Sequence, residues 1–375
     1  ADGAATVSIV VNDTSKSTLP SSAINGSAKY YAFFDSYLWN LFEDPSWGGL
    51  NGFTLQSADE RTVLLSLPSD NMTAVLTGEF FVRESPTSLT DVTGQMYKAS
   101  FFTNGILTDA VEWVEGSDIQ QRMDFQYLLS LLYGDDYFEG SITVGGDDSV
   151  QGLAGNDRFK GNGDNSGDYF FGGDGIDTAI YRGKRSDYLV QLTDAIRDGR
   201  LDDGTLVSGH IVMDLVSRRD GRDYLNEIER LEFSDWSIAF DVGATENAGK
   251  AKLFVGAVAN SLANDAATLG TILHFMDNGY SDLVALSQLA IDVGVVSALA
   301  GSSSNQALAE LVTKNVWGQS NPLISAMLTG YMDGPFANYT QAQFLAAVAS
   351  LEVNQQHVNL VGLSETGMEY IPLEL

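Results

Sequence analysis

The sequence predicts a multidomain α+β protein built from three parts. Before residue 133, alternating β-branched and aromatic runs are bounded by Gly, Pro, Ser or Asp, which is typical of an antiparallel sheet. The middle of the chain is rich in glycine and aspartate, with an apolar residue at regular intervals. From residue 248 onward, alanine- and leucine-rich segments end at Gly or Asn, which indicates helices. We therefore expect domains over residues 1–133, 134–242 and 243–375.

The first domain is predicted to be an antiparallel β-rich domain with helices. The N-terminal run "ATVSIVVND" alternates as a strand does, and it could lie in its own sheet or pair with the sheet edge of a neighbouring molecule. Residues 27–42 and 117–133 have helical patterns, and Ser117 or Asp118 is a plausible N-cap of the second. The remaining strands are expected in "RTVLLSLP", "MTAVLTGEFFVRE", "GQMYKASFF" and "LTDAVEWVEG".

The composition favours a protein that attracts cations. The chain has 20 Lys and Arg against 50 Asp and Glu, a net charge of −30, which disfavours nucleic acid and anionic membranes as partners. It contains no cysteine, so disulfides and thiolate metal sites are excluded. No apolar run reaches the roughly 18 residues of a membrane span. The N-terminus lacks the basic start and apolar centre of a secretory signal, as it also would if a signal had been removed.

A repeat occupies the glycine-rich segment from residue 134 to about 180. Five aspartates take one equivalent position at separations of 12, 9, 11 and 9 residues: Asp136, Asp148, Asp157, Asp168 and Asp177. The apolar residue two positions later is Phe138, Val150, Phe159, Phe170 and Ala179. A period of nine predicts a six-residue glycine turn followed by a three-residue strand. The apolar residue would point inward and stack on its copy in the next coil, and the aspartate would face a neighbouring coil.

This arrangement requires a cation. From Gly134 to Asp177 the sequence has ten carboxylates and two basic residues, Arg158 and Lys160, and its glycines make ordering costly. No His or Cys lies in the segment, so the candidate ligands are all oxygens, which favours Ca²⁺ over zinc or copper. Magnesium is the weaker candidate because it keeps its waters. The predicted ligands are Asp136, Gly146, Asp148, Gly152, Gly155, Asp157, Gly161, Gly163, Asp168, Gly173, Gly175 and Asp177.

The segment resembles the calcium-binding nonapeptide repeats of RTX proteins, and residues 218–241 are similar to the segment that closes such repeats in bacterial exoproteins. The resemblance implies a parallel β-roll that folds outside the cell. It also implies export by a type I secretion apparatus with an uncleaved C-terminal signal, which the ending "MEYIPLEL" fits. The fourth repeat departs from the pattern by an insertion near "DNSG". The C-terminal segments resemble a helical module of bacterial surface-layer and exported proteins, and an all-α bundle is expected there.

The sequence contains no recognisable catalytic motif. None of His210, His274 and His357 lies in His-Glu-x-x-His, and there is no Gly-x-Ser-x-Gly elbow or phosphate loop. We expect a secreted, non-enzymatic calcium-binding protein of the cell surface or matrix, forming a homo-oligomer or homopolymer such as a surface layer or filament, or acting as an adhesin. The alternative is a glycan-binding module or polysaccharide-acting enzyme in the first domain, with surface polysaccharide as its partner.

Overall fold

The computed structural model divides the chain into two compact units, Ala1–Ser234 and Asp235–Leu375. Together they combine antiparallel and mixed β-sheets with α-helices, as the sequence predicts at this level. The predicted boundary after residue 133 lies outside the described residues. The structure describes residues 7–11, 53–67, 72–103, 106–118, 135, 137–139, 149–161, 167–197, 206–335 and 337–373.

The N-terminal part of the first unit is an antiparallel sheet. Its strands β1–β6 lie in the order β1-β6-β5-β4-β3-β2. The four internal strands predicted from sequence are confirmed. The strand bounds are β1 (Val7–Val11), β2 (Thr54–Ala58), β3 (Thr62–Leu67), β4 (Met72–Val82), β5 (Val92–Thr103) and β6 (Ile106–Asp118).

Alternation of side chains explains why this sheet forms. Val63 and Leu65 of β3 are fully buried, and they lie opposite Leu76 and Ala74 of β4, which are buried as well. Since successive side chains point to opposite faces of a strand, the residues between them are left on the other face. One face of β3 and β4 therefore supplies the core of this part of the sheet.

Strand β1 lies in its own sheet, the first of the two arrangements expected from sequence. It pairs antiparallel with β6 and parallel with β7 (Tyr137–Glu139), so neither of its edges is open to a neighbouring molecule. Strand β6 extends to Asp118, so Ser117 is followed by a strand residue and is not the N-cap of a helix. The helices predicted over 27–42 and 119–133 lie outside the described residues.

The repeat region forms strands that alternate between two sheets. Strands β7, β9 and β11 pair in parallel in one sheet, whereas β8 and β10 pair in parallel in the other. Consecutive strands of the repeat therefore alternate between the two sheets. The bounds are β8 (Ser149–Ala154), β9 (Arg158–Lys160), β10 (Tyr169–Asp174) and β11 (Thr178–Ile180).

The segment that follows β11, which we call the flank, extends both sheets. The chain leaves β11 through an antiparallel hairpin and then returns, placing β14 in parallel beside β10 and β15 in parallel beside β11. The flank thus adds one more strand to each parallel stack. Its strands are β12 (Tyr188–Arg197), β13 (Leu206–Asp214), β14 (Arg222–Asn226) and β15 (Arg230–Glu232).

Apolar side chains fill the space between the two stacks. Phe159 of β9 and Phe170 of β10 are buried, and their ring centroids lie 5.4 Å apart in a stacked arrangement. In the neighbouring strands Ala179 and Leu231 of one sheet and Leu225 of the other are buried as well. The residue predicted to point inward from each repeat thus lies in the core wherever its side chain is described.

A network of hydrogen bonds and ion pairs connects the start of β12 with the segment that follows β13. Arg219 donates from Nε and Nη2 to both carboxylate oxygens of Asp214, each at 2.7 Å, and from Nη1 to Asp187 at 2.9 Å. Its guanidinium also lies 4.9 Å from the ring centroid of Tyr188. Asp220 accepts from Arg182 Nε at 2.6 Å and from the Tyr188 hydroxyl. This network joins the two ends of the hairpin, from which the chain enters β14.

The second unit contains nine α-helices among its described residues, and one strand pair. Its core consists of buried aliphatic residues with Phe254 and Phe344. The bounds are α1 (Asn247–Ala259), α2 (Ala266–Asp277), α3 (Leu283–Asp292), α4 (Val295–Ala300), α5 (Asn305–Trp317), α6 (Pro322–Thr329), α7 (Gln341–Ala349), α8 (Glu352–His357) and α9 (Leu363–Thr366). None of these helices, within the portion of the chain that the structure describes, is long and apolar enough to cross a membrane.

The second unit is not purely helical. Strand β16 (Ser237–Ala239) pairs antiparallel with β17 (Met368–Tyr370), which lies close to the end of the chain. Met368 is buried in the core of the unit. The all-α bundle expected from sequence is therefore realised as helices together with a two-stranded pair.

Candidate metal centre

The predicted ligands that the structure describes lie where strands begin and in the turns that precede them. Asp157, Asp168 and Asp177 each come directly before a strand, and their exposed fractions are 0%, 1% and 0%. The glycines of this set in the described residues are Gly152, Gly155, Gly161, Gly173 and Gly175. Four predicted ligands lie outside the described residues: Asp136, Gly146, Asp148 and Gly163.

The first column of acids runs along the sheet of β9, β11 and β15. The backbone N–H of Asp157 donates to Oδ1 of Asp177 at 2.7 Å, and the N–H of Asp177 donates to Oε2 of Glu229 at 2.8 Å. Asp177 and Glu229 therefore each bind the main-chain N–H of the preceding acid through one oxygen. The arrangement brings Asp157, Asp177 and Glu229 into one row of closely spaced carboxylates.

A second column runs along the other sheet. The backbone N–H of Asp168 donates to Oδ1 of Asp223 at 3.1 Å, and the N–H of Tyr224 donates to the carbonyl of Asp168 at 2.7 Å. Asp223 is buried, with an exposed fraction of 2%. Burial, followed by the charge of Asp168, raises the pKa of Asp223 well above its usual range. Both columns thus bring acidic side chains together in a buried environment.

Glycine is required where the carboxylates approach the neighbouring turns. A Cβ added at Gly152 would lie 2.0 Å from Oδ2 of Asp157 and 2.6 Å from the carbonyl oxygen of Gly172. A Cβ added at Gly172 would lie 2.3 Å from Oδ2 of Asp177 and 2.0 Å from the carbonyl oxygen of Glu227. Carboxylate and carbonyl oxygens therefore converge above each of these glycines, and the converging atoms are the ligand type that calcium prefers.

The turn glycines of the repeat adopt backbone angles that other residues avoid. Gly155, Gly173 and Gly175 have φ values of 131°, 103° and 147°. Gly175 also packs its Cα against the carbonyl of Gly155, so that a Cβ there would lie 1.7 Å from that oxygen. The backbone geometry of these turns therefore requires glycine at these positions of the repeat.

Asp177 carries the clearest electrostatic strain in the repeat. Its Oδ2 is buried and has no hydrogen-bond partner among the described residues. The pKa of Asp177 is raised to about 8, mainly by burial; the N–H of Asp157 opposes the increase, and the charges of Asp157, Glu229 and Glu227 contribute to it. A positive charge beside Oδ2 would remove the cause of this shift.

Side chains alone do not complete a metal site in the residues for which the structure gives positions. No group of three or more His, Asp or Glu side chains there is placed to hold an ion. A calcium ion takes six to eight oxygens, including backbone carbonyls and water. The pairs of carboxylates seen here would therefore need the carbonyls of the glycine turns, which face the same points.

Sequence reasoning missed Asp223 and Glu229 as members of the acid columns. Both lie in the flank, in "RDYLN" and "EIERLE", where the glycine turns that mark the repeat are absent. Their position becomes evident only from strand pairing, because Tyr224 pairs with Tyr169 and Arg230 pairs with Thr178. Glu229 directly precedes β15, as the repeat aspartates precede their strands, whereas Asp223 is the second residue of β14.

The stability of the calcium-free protein is expected to fall as pH rises from 6.5 to 8. The pKa of Asp177 increases on folding from 3.8 to about 8, so its contribution is complete below pH 3.8 and is lost as the pH passes 8. One such group gives a slope approaching about 1.4 kcal/mol per pH unit. Burial lowers the pKa of His210 to about 4, which has the opposite effect only below pH 6.5.

Urea unfolding in the presence of a calcium chelator at several pH values measures this slope. Asp177→Asn serves as the control, because it removes this titrating group and should make the slope smaller, leaving the contribution of Asp223, whose pKa is raised as well. A stability that is constant or increases between pH 6.5 and 8 in the unsubstituted chain would contradict the prediction.

Comparison of the chain with protein-family models, with curated proteins and with solved structures gave no significant match. The similarity to RTX repeats therefore rests on the spacing of the residues in the sequence.

Proposed function

We propose that residues 134–242 form a calcium-binding β-roll, and that the chain is a secreted, non-enzymatic structural protein of the bacterial cell surface. The observation that carries the proposal is Oδ2 of Asp177, a buried carboxylate oxygen without a hydrogen-bond partner in the described residues, in a row of acids. Such an atom is costly unless a cation lies beside it. The parallel strands that alternate between two sheets support the same interpretation.

The residues present fit calcium. Asp157 and Asp177 would bind it through their carboxylates, and the carbonyls of Gly172 and Glu227 would contribute oxygens from the adjoining turns. A bound ion would supply the positive charge that the two acid columns need. Asp168 and Asp223 would serve in the same way in the other sheet.

Calcium concentration would then decide whether the roll folds. An ion that binds only the folded form adds about 4 kcal/mol of stability at a concentration a thousand times its dissociation constant. At the low calcium of the cytosol the acids would repel one another and the folded segment would be only marginally stable, so that much of it would be unfolded, which suits export through a type I apparatus. At the millimolar calcium outside the cell the roll would fold.

The second unit offers surfaces for self-association. Leu323 and Met327 of α6 lie one turn apart and are 84% and 59% exposed, and Tyr331 continues the same spacing. The sequence from Asn315 to Met332 carries no charge, in a chain whose net charge is −30. A neutral apolar surface is where two such chains would meet with the least repulsion. This supports assembly into a surface layer or filament, in which neighbouring chains would contact each other.

A calcium titration of the full chain tests the proposal. Starting from chelator-treated protein, we expect millimolar calcium to increase the β-sheet circular dichroism, reduce the hydrodynamic radius of the monomer and then produce larger species in sizing. Magnesium at the same concentration is the control and should do neither. A chelator-treated chain that keeps its full circular dichroism and radius would contradict the role of calcium.

A further inference from the structure

We propose that the last cation site in the column of Asp177 is completed from outside the repeat, by the carboxylate of Glu229 and the main-chain carbonyl of Glu227. The inference rests on the proposed function, because it identifies further ligands of the same roll. It assigns the flank a chemical role in addition to closing the end of the sheet. The predicted ligand set ends at Asp177 and includes neither glutamate.

Glu229 takes the position of the repeat aspartates. It directly precedes β15, as Asp177 precedes β11 and Asp157 precedes β9. Its Oε2 accepts the N–H of Asp177 at 2.8 Å, which repeats the bond from Asp157 N–H to Asp177 Oδ1 at 2.7 Å. The main chain repeats as well, because the N–H of Arg230 donates to the carbonyl of Asp177 as the N–H of Thr178 does to that of Asp157.

The partnerless oxygen of Asp177 points to a ligand at this position. Asp177 has an exposed fraction of 0%, and within the described structure its Oδ2 accepts no hydrogen bond. This oxygen and the carbonyl oxygen of Glu227 both lie within 2.3 Å of the place that a Cβ of Gly172 would occupy. Two oxygens that converge in this way repel each other, and a cation between them would remove the repulsion.

Glu227 substitutes for a glycine of the repeat. The carbonyl oxygen of Glu227 lies close to Gly172, together with Oδ2 of Asp177. In the repeat, the carbonyl oxygen of Gly172 lies close to Gly152 in the same way, together with Oδ2 of Asp157. Glu227 also has a φ of 54°, a left-handed value that is uncommon for a residue with a Cβ. The flank reaches Glu229 only two residues later, whereas the repeat places its aspartate five residues after the equivalent glycine. The turn in the flank is therefore shorter than the glycine turn of the repeat, but it keeps a carbonyl group at the equivalent position.

Such a site would couple the flank to the repeat. Asp177 belongs to the last repeat and Glu229 to the strand that covers it, so a shared ion would join β11 to β15 in addition to their hydrogen bonds. The pairing of the flank with the repeat would then be more stable when calcium is present. The carboxylate of Glu229 would supply the charge, and the carbonyl of Glu227 would supply an uncharged oxygen.

Counting the bound ions in variants of the full chain tests the inference. Glu229→Gln keeps an oxygen that can accept the N–H of Asp177 but removes the charge, and we expect it to bind one calcium ion fewer by equilibrium dialysis. Its midpoint for calcium-induced folding should rise about tenfold or more. Glu227→Gln should keep the original count, because the carbonyl is unchanged.

Two further variants separate this role from a structural one. Asp174→Asn removes one charge from an exposed side chain of the same repeat, and it should bind as many ions as the unsubstituted chain. Glu229→Asp installs the acid that the repeat uses and should restore the count, even if Glu229→Gln does not fold. An unchanged count in Glu229→Gln, or a lost ion in Glu229→Asp, would overturn the inference and leave the roll standing. A chain that binds no calcium at millimolar concentration would overturn both.

Discussion

Replacing Asp177 with asparagine is expected to stabilise the calcium-free protein and to destabilise the calcium-bound protein. In the absence of calcium the buried carboxyl has a pKa of about 8, and its environment opposes ionisation. At pH 7 this costs about 3–4 kcal/mol relative to the unfolded chain, in which the group ionises freely. Asparagine does not ionise, and its Oδ1 can still accept the N–H of Asp157.

With calcium present the sign reverses. The asparagine oxygen is a weaker ligand without a charge, so the ion that Asp177 would hold is lost or bound loosely. We expect a loss of about 3 kcal/mol in millimolar calcium, the value for an ion at a few hundred times its dissociation constant. Urea unfolding with and without chelator measures both effects on one pair of proteins.

Asp174→Asn is the matched control for this experiment. Asp174 is the last residue of β10, three positions before Asp177, and its side chain is exposed, so the same change of charge should alter stability by no more than about 0.5 kcal/mol in either condition. Equal destabilisation of the Asp177 variant in both conditions would indicate an ordinary structural carboxylate. That result would refute a role in ion binding.

Replacing Asp214 with alanine is expected to cause a large loss of stability that does not depend on calcium. Both oxygens of Asp214 bind Arg219, and they also accept the N–H groups of Val216 at 2.8 Å and Asp220 at 3.0 Å. The side chain of Asp214 is 1% exposed, and hydrogen bonding to it raises the pKa of Arg219 above its usual range. Removing it leaves Arg219, which is partly exposed, with Asp187 as its ion-pair partner, and it leaves two backbone donors without their acceptor, which costs about 2–3 kcal/mol.

Denaturant unfolding at saturating calcium and in chelator measures this loss in both conditions. Asp194→Ala is the control, since Asp194 is an exposed acid of the neighbouring strand that accepts one bond from Ser208, and it should have little effect. A loss that disappears in chelator would mean that the Asp214 network forms only after calcium binds. The Asp214 network would then depend on calcium binding by the acid columns.

The sequence predicted the features that depend on local periodicity. Alternation located the antiparallel strands of the first unit, because one face of β3 and β4 is buried. The separation of Asp157, Asp168 and Asp177 located the strand starts of the repeat. The apolar position two residues later predicted the burial of Phe159 and Phe170. In each of these, a few neighbouring residues determine the structure.

Features that depend on distant pairing could not be predicted. Glu229 joins the acid column through a contact 52 residues from Asp177, and the intervening hairpin has no bearing on the spacing of the repeat. Strand β17 has only three residues, which is too short for a recognisable alternation, and it is identified as a strand by its pairing with β16. The N-terminal strand β1 lies between β6 and β7, and its alternation is compatible with an edge or a central position.

Locating calcium by its anomalous scattering in crystals grown with the ion tests the central claim most directly. The account predicts a peak about 2.3–2.6 Å from Oδ2 of Asp177, the usual distance between calcium and an oxygen ligand. A second peak is expected beside Asp157. Crystals in which both carboxylates instead contact only water or protein donors, with no anomalous peak between the coils, would contradict it.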